Sequence, residues 1–397
     1  MQLSIPTSCD WIWQGYDFIS SFNIMRISQV WRQTAASTKV VFDRGKHFSD
    51  LGRTQTLLSG DLPLDIQIKV SSDVEFGKQT AKLLREHVAR FKSLEIQVPS
   101  HETVETLVSL IGEHKSAPLL ERLTIHAEQA DSESQPDTFT SLPTAFYPCP
   151  RLTHLTIRGA PLPVSSAPHF RGLTSLTIDA SDISCHLVDV PRILNILKST
   201  ENLQHFSYLG SDLFNYHRRI IRSFLMPHLI SLNVSAPGCG LDIFRRLHAP
   251  LLTSVRFNGW RSEGWSEVWV DTLREPTSNS LRLLAERSPN VTHLELRSLE
   301  LYNQPEDYGR LLSDYAFPRL KVLRLYAADI IDGYLALGAG RMKSLKRLEL
   351  LACGGVSADG VLKFTKGRKQ DFELLIDACP GIELEDLTEL KKTIKVL

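Results

Sequence analysis

The chain has 397 residues, of which 42% are hydrophobic, so it is long and apolar enough to bury a substantial core. Its 45 basic and 45 acidic side chains balance, which disfavours nucleic acid and anionic membranes as partners. The six cysteines form no C-x-x-C pair, which argues against a disulfide scaffold or a zinc module, and no apolar stretch reaches membrane-spanning length. With no secretory leader in view, we expect a monomer of the cytoplasm or nucleus that needs no cofactor.

Residues 1–60 lack the pattern that organises the rest of the chain. Residues 10–37 have the spacing of a helix with one apolar side, made of Phe18, Phe22, Met25, Val30, Trp31 and Ala35. The first predicted strand is 63–70, in which every second residue is apolar. A helix over 77–91 and a second strand over 94–98 come after it. We therefore divide the chain into a helical segment, residues 1–60, and a second domain, residues 61–397.

The second domain is organised by the pattern L-x-x-L-x-L, which recurs nine times at a mean spacing of about 28 residues. The first apolar positions of the nine copies are Leu120, Leu152, Leu173, Leu203, Leu229, Leu252, Val291, Leu320 and Leu345. Apolar stripes with helical spacing precede several copies, as at 190–197 and 220–225, and prolines such as Pro227 and Pro318 end them. Such units predict an α/β fold with parallel strands and right-handed crossovers, a solenoid curved into a horseshoe.

These units resemble leucine-rich repeats over about residues 60–397. Near the C-terminus, the stretches around Cys353 and Cys379 resemble the cysteine-containing subclass, in which a cysteine replaces the usual asparagine at the end of the strand. The resemblance implies that both cysteines are small buried residues that turn the chain and have no catalytic role.

Residues 27–38, Ile-Ser-Gln-Val-Trp-Arg-Gln-Thr-Ala-Ala-Ser-Thr, resemble the closing helix of an F-box. Only Ile5-Pro6 matches the opening helix of that domain, so the segment has the character of a truncated or degenerate F-box remnant. An F-box tail ahead of irregular repeats is similar to the F-box-like proteins of mushroom-forming, basidiomycete-type fungi. The resemblance implies a Skp-type adaptor and a cullin as partners. The adaptor-binding residues that it implies are Ile27, Val30, Trp31 and Ala35.

The sequence contains no H-E-x-x-H, no G-x-S-x-G and no complete phosphate-binding loop, so we expect no enzymatic activity. The positions that alternate with the core leucines are predicted to line the concave face of the horseshoe. His154, His205 and His293 fall there in units that are not adjacent. This separation favours a polar lining over a metal site.

Arginines are frequent at the same alternating positions. The six are Arg122, Arg158, Arg256, Arg297, Arg324 and Arg347. They outnumber the acids at these positions, Asp179, Glu295 and Glu349. Guanidinium binds carboxylate and phosphate bidentately, so this local excess predicts binding to an acidic or phosphorylated segment of a partner. The alternative is that they are ordinary solvated strand residues, some of them paired with neighbouring acids.

These patterns predict a non-enzymatic recognition protein. By resemblance it would be the substrate-receptor subunit of an SCF-type ubiquitin ligase that holds an unidentified protein target on its concave face. One alternative is a repeat scaffold without ligase contact, and a remote one is a GTPase-activating regulator, for which Arg261 is the candidate residue. Trp260, Trp265 and Trp269 would either bind a partner or pack their insertion onto the solenoid.

Overall fold

The structure is a computed structural model of the chain. It describes residues 40–43, 62–70, 74–129, 142, 144–160, 162, 168–180, 190–210, 223–235, 243–259, 277–298, 311–312, 316–368, 371–393 and 395–396. The predicted helix over 10–37 and the insertion that carries the three tryptophans lie outside the described residues. No helix in these ranges combines the length and the apolar character that crossing a membrane requires.

One large parallel sheet organises the described part of the chain. The strands are β1 Val40–Asp43, β2 Leu64–Lys69, β3 Phe91–Ser100, β4 Arg122–Gln129, β5 His154–Arg158, β6 Ser175–Ala180, β7 His205–Gly210, β8 Phe224–Leu225, β9 Ser231–Ser235, β10 Leu247–His248, β11 Ser254–Asn258, β12 His293–Arg297, β13 Val322–Tyr326, β14 Arg347–Leu351, β15 Glu373–Asp377 and β16 Lys395–Val396. Fourteen of them pair in the order of the sequence, while β8 and β10 pair with each other. This open, sequential order is that of a repeat solenoid.

The register of the strands matches the leucine pattern. The second apolar position of each copy lies opposite the second apolar position of the next, as in Leu123 opposite Leu155 and Leu155 opposite Leu176. The same column continues through Leu294, Leu323 and Leu348 in the later strands. All of these residues are at most 2% exposed. Stacked apolar columns therefore form a continuous core along the sheet, because each unit buries its face against its neighbours.

Helices connect several of the strands. They are α1 Val74–Leu84, α2 His101–Gly112, α3 Val190–Ser199, α4 Thr277–Arg287, α5 Asp332–Leu337, α6 Ala358–Thr365 and α7 Leu384–Thr393. In α2, the Ser100 side chain accepts a hydrogen bond from Thr103 N at 3.3 Å and so caps the helix. The apolar stripe of α2, from Val104 to Ile111, is buried as the periodicity predicts. The predicted helix over 77–91 is instead α1 with a 3-10 helix, Arg85–Arg90, after it.

One predicted helix is wrong at its C-terminal end. The spacing of the stripe 220–225 predicts a helix, but Phe224–Leu225 form β8 and pair in parallel with β10. Residues 220–222 lie outside the described residues. Met226 precedes a proline, which disfavours helical backbone at that residue. Its amide donates to His248 O at 2.8 Å, so the extended pairing continues past β8.

A left-handed residue lies after many strands and turns the chain out of the sheet. Ala327, Ala352 and Ala378 have φ values of 47°, 53° and 53°. Gly159 holds the equivalent place after β5 with φ 63°, and a Cβ there would lie 2.0 Å from Ala127 O. The first turn residue is therefore a repeated backbone feature, and at position 159 only glycine fits.

The second turn residue is small and buried, and this is the place of the two cysteines. Cys353 and Cys379 stand where Ala328 stands after β13, and both are at most 6% exposed. The Cys353 thiol donates to Leu325 O at 3.6 Å, and the Cys379 thiol donates to Leu350 O at 3.5 Å. A hydrogen bond with Cys379, together with burial, raises the pKa of the Cys353 thiol. These contacts fit the structural role that the sequence implies.

Candidate functional site

The strand residues that alternate with the core form the second face of the sheet, which we call the open face. In β12, for example, Leu294 and Leu296 are buried whereas His293, Glu295 and Arg297 are not. Register carries this alternation across the sheet, so that Arg256 lies opposite Glu295 and Arg324 lies opposite Glu349. The open face is therefore made of rows of side chains that run across the strands.

Charged side chains on β11 to β16 form one connected set, which we call the charged ladder. Its members are Arg256, Glu295, Arg297, Arg324, Arg347, Glu349, Glu373 and Lys395. Every neighbouring pair of strands from β11 to β16 is bridged by at least one of these ion pairs. The ladder contains four of the six arginines that were predicted to bind a partner.

Glu295 is the centre of the first half of the ladder. Arg256 donates from Nε to Glu295 Oε2 at 2.9 Å, and Arg297 donates from Nε to the other carboxylate oxygen. Arg324 Nη1 lies 3.6 Å from Glu295 Oε2. Three guanidinium groups therefore surround one carboxylate whose side chain is only 13% exposed.

Glu349 is the centre of the second half. Arg324 donates from Nε to Glu349 Oε2. Arg347 Nε lies 2.7 Å from Glu349 Oε1, in an orientation that makes an ion pair without a hydrogen bond. Arg347 Nη1 also lies 3.7 Å from Glu373 Oε2, and Lys395 donates to Glu373 Oε1. The ladder thus continues to the last strand of the sheet.

Burial divides the ladder into two layers. The Glu349 side chain is 3% exposed, while the arginine side chains are 33% to 46% exposed. Burial raises the pKa of Glu295, but hydrogen bonds from Arg297 and Arg256 lower it by more, so the pKa lies below its usual value. The hydrogen bond to Glu349 raises the pKa of Arg324. Buried carboxylates therefore lie underneath and hold the guanidinium groups at the surface.

The two remaining predicted arginines are also paired. Arg122 Nη2 lies 3.4 Å from Asp65 Oδ1, which belongs to a strand two places away. Arg158 Nε lies 3.3 Å from Asp179 Oδ2 on the next strand. All six arginines therefore have carboxylate partners, and the excess of arginine over acid that the sequence indicated is largely neutralised. Their part in binding a protein stays a prediction.

A cavity of about 650 Å³ lies against the open face from β6 to β14. Uncharged side chains, among them Thr177, Ser207 and Asn233, line its β6 to β9 part, and charged ladder residues line the rest: Arg256, Glu295, Arg324, Arg347 and Glu349. Asn233 Nδ2 donates to Ser207 Oγ at 2.9 Å, which fixes two of these side chains. His205 and His293 also line the cavity. They lie on β7 and β12, which are not neighbours, and the described residues contain no group of three metal-ligating side chains.

The sequence analysis did not predict an apolar patch that lies beside the ladder on β13, β14 and β15. Tyr326 is 41% exposed, and the guanidinium of Arg297 lies 5.3 Å from the centre of its ring. Leu351, its neighbour on β14, and Leu375 on β15 are half-buried on the same face. We call Tyr326, Leu351 and Leu375 the apolar patch. Its signal in the sequence was an apolar residue at a position where other copies carry a polar one.

Ile27, Val30, Trp31 and Ala35, which the F-box resemblance assigned to adaptor binding, lie outside the described residues. Trp260, Trp265, Trp269 and Arg261 do so as well. The open face is therefore the candidate site that can be argued from contacts.

Comparison with known proteins adds little to this geometry. No protein-family model matches the chain, and no curated protein matches it. Among solved structures, the chain is similar to the complex of Rad7 and Elc1 in yeast, with 11% identity over 91% of this chain and 78% of that chain and a TM-score of 0.43. It is also similar to a protein from Bacteroides fragilis, with 10% identity over 86% of this chain and 76% of that chain and a TM-score of 0.37. Neither likeness is close enough to assign a function.

Proposed function

We propose that this chain is a non-enzymatic protein-recognition module that holds a protein target on the open face, over the charged ladder and the apolar patch. The observation that carries the proposal is the exposed pair of Arg297 and Tyr326. Tyrosine and arginine are among the residue types that contribute most to protein–protein binding. The half-buried leucines beside them supply apolar area around this centre.

The ladder adds preorganisation to this surface. Arg256 is held through Nε by Glu295, and its terminal nitrogens have no hydrogen-bond partner among the residues that the structure describes. A guanidinium that is already fixed loses little conformational entropy when a partner binds. The surface therefore presents hydrogen-bond donors in set positions.

We further propose that the solenoid is of the leucine-rich-repeat type, with right-handed crossovers and a horseshoe curve. The stacked leucine columns and the buried cysteines of the turns support this assignment. By the resemblance of residues 27–38, the chain would be a substrate receptor of an SCF-type ubiquitin ligase. A Skp-type adaptor would bind through Ile27, Val30, Trp31 and Ala35, and the ubiquitin-conjugating partner would supply the chemistry. We place the protein in the cytoplasm or nucleus, as a monomer.

Co-purification with the adaptor tests the ligase role. Tagged full-length chain is expected to retain a Skp-type adaptor, and Val30→Asp combined with Trp31→Ala is expected to lose it. Tyr326→Ala serves as the matched control, because it lies on the open face and should keep the adaptor. A wild-type chain that never retains the adaptor would favour a repeat scaffold without ligase contact.

The recognition surface is tested separately, by proximity labelling with the full-length chain in cells. Tyr326→Ala is expected to reduce labelling of the target at least tenfold, because a central aromatic residue typically contributes more than about 1.4 kcal/mol. Tyr334→Phe, a substitution on α5 away from the open face, is the control. Unchanged labelling by Tyr326→Ala would refute the proposed surface.

A further inference from the structure

The turns that lead into β11, β12, β13 and β14 form a groove along the edge of the sheet where these strands begin. We call it the edge groove. A cavity of about 540 Å³ marks it, lined by Leu251, Thr253, Asn290, Thr292, Arg319, Lys321, Ser344 and Lys346. These residues come from four successive units of the solenoid. The edge groove is separate from the open face, so a ligand bound there is independent of the proposed function.

Backbone hydrogen bonds hold the floor of the groove at a fixed spacing. Thr292 N donates to Thr253 O at 2.9 Å, Lys321 N donates to Thr292 O at 2.8 Å, and Lys346 N donates to Lys321 O at 2.8 Å. The four turns therefore repeat at the separation of neighbouring strands, about 4.8 Å. The steps from the first turn to the last span about 15 Å, which is the length of about five residues of extended chain.

The charges in the groove are of one sign. Arg319, Lys321 and Lys346 are exposed, and no carboxylate lines the cavity among the described residues. Neither lysine has an ion-pair partner in the part of the chain that the structure describes, and the Arg319 side chain donates only to Asn290 Oδ1 there. On the open face, by contrast, each of the predicted arginines has a carboxylate beside it. The groove therefore leaves cations available, whereas those of the open face are neutralised.

The two ends of the edge groove differ chemically, because Leu251 lies at one of them and the cations lie at the other. Leu251 lies at the β11 end and is 51% exposed, whereas the three cations lie at the β13 and β14 end. An occupant that matches both ends carries acidic side chains at one end and an apolar side chain at the other. We propose that the edge groove binds a short, extended, acidic segment of a partner protein.

Nucleic acid fits the groove less well than an acidic protein segment. Affinity for nucleic acid comes mainly from the number of phosphates that Lys and Arg neutralise, and the groove offers three cations in a chain whose net charge is zero. An anionic membrane surface would reach the exposed cations but would leave the floor of the groove unfilled. A chain in extended conformation can reach both the floor and the cations.

Fluorescence anisotropy with the full-length chain tests this proposal. The probe is a fluorescein-labelled peptide with a leucine at one end and alternating glutamate and serine over the rest of its length. Lys321→Gln combined with Lys346→Gln is expected to weaken binding about five- to tenfold, because each exposed charge pair contributes modestly to affinity. Lys321→Arg combined with Lys346→Arg keeps the charge and is expected to retain binding.

The matched control removes two exposed lysines elsewhere, Lys82→Gln in α1 with Lys198→Gln in α3. It loses the same charge and is expected to bind the probe like the wild type. Equal weakening by both double variants, or none by the groove variant, would overturn the proposal. Tighter binding of a single-stranded oligonucleotide or of phosphatidylserine vesicles than of the peptide would also overturn it. Thermal melting by circular dichroism verifies that each variant is folded.

Discussion

The C-terminal units carry cations on two surfaces that differ in how these cations are neutralised. Arg324 lies on the open face between Glu295 and Glu349. Lys321, three residues earlier in the same unit, lines the edge groove and has no ion-pair partner among the described residues. Both residues belong to the same short stretch of sequence, so the difference comes from what neighbouring units place beside them.

Register explains the contrast. In one row of the open face, Arg256, Glu295, Arg324 and Glu349 alternate from strand to strand, so that each of them lies opposite a residue of the other charge on the neighbouring strand. In the edge groove, Lys346 N bonds to Lys321 O and the two lysines stand next to one another with the same charge. Opposite charges on neighbouring strands stabilise a sheet, and like charges destabilise it. We therefore expect the charged ladder to contribute to stability and the edge groove to contribute to binding.

Removal of the Glu349 carboxylate, the most buried one in the charged ladder, should lower the unfolding free energy most. Glu349→Gln leaves Arg324 and Arg347 without their shared anion, in a position where the Glu349 side chain is 3% exposed. Because both arginines are about one-third exposed, we expect a loss somewhat below that of a fully buried pair, about 2–3 kcal/mol of unfolding free energy. Urea unfolding measures it. Glu373→Gln, in a more exposed position, is the control and should cost clearly less, whereas a loss below about 0.5 kcal/mol for Glu349→Gln would contradict the ladder's role.

Acid should weaken the first half of the ladder. Burial raises the pKa of Glu295, but the hydrogen bonds from Arg297 and Arg256 outweigh burial, so the folded-state pKa lies below the usual value of 4.5. The carboxylate therefore stabilises the fold above that value, and this contribution is lost as the pH falls through the lower, folded-state pKa. Glu295→Gln should cost about 1.5 kcal/mol near neutral pH.

The measurement is the unfolding free energy of wild type and Glu295→Gln over a series of pH values. The difference between them should be constant above the usual carboxyl range and shrink in more acidic solution. Lys363 pairs with Asp359 on the surface of α6, and Asp359→Asn is the control, which should show little difference at any pH. If the difference in unfolding free energy between wild type and Glu295→Gln does not change with pH, the negative charge of Glu295 does not stabilise the fold.

The sequence was a good guide to the sheet because the leucine pattern is local. The spacing within each copy of the pattern decides which residues are buried, and Leu123, Leu294 and Leu348 all lie in the core as predicted. The C-terminal end of the stripe 220–225, residues 224–225, shows where such a prediction fails. Three or four apolar residues suit a helix or a strand equally well, and here the pairing with β10, a contact between distant residues, decided the outcome.

The charge pattern could not be predicted in the same way. The partners of the arginines come from other strands, as Asp65 does for Arg122 and Glu373 does for Arg347. Asp65 and Glu373 lie on β2 and β15, outside the nine copies of the pattern. A count over those copies omits them, so the sequence overestimated the positive character of the open face. The edge groove could have been found by aligning the copies, since Thr253, Thr292, Lys321 and Lys346 hold the same place in successive units.

Substitution of the edge-groove lysines should change the unfolding free energy least, and it should raise that free energy where the ladder variants lower it. Lys321→Gln with Lys346→Gln removes a repulsion between neighbouring units and breaks no ion pair within the part of the chain that the structure describes. The unfolding free energy should stay unchanged or rise by up to about 0.5 kcal/mol, with the larger gain at low salt, where repulsion is least screened. Urea unfolding at low and high salt measures this. A loss comparable to that of Glu349→Gln would mean that the lysines are paired, and the groove cations would then be as neutralised as those of the ladder.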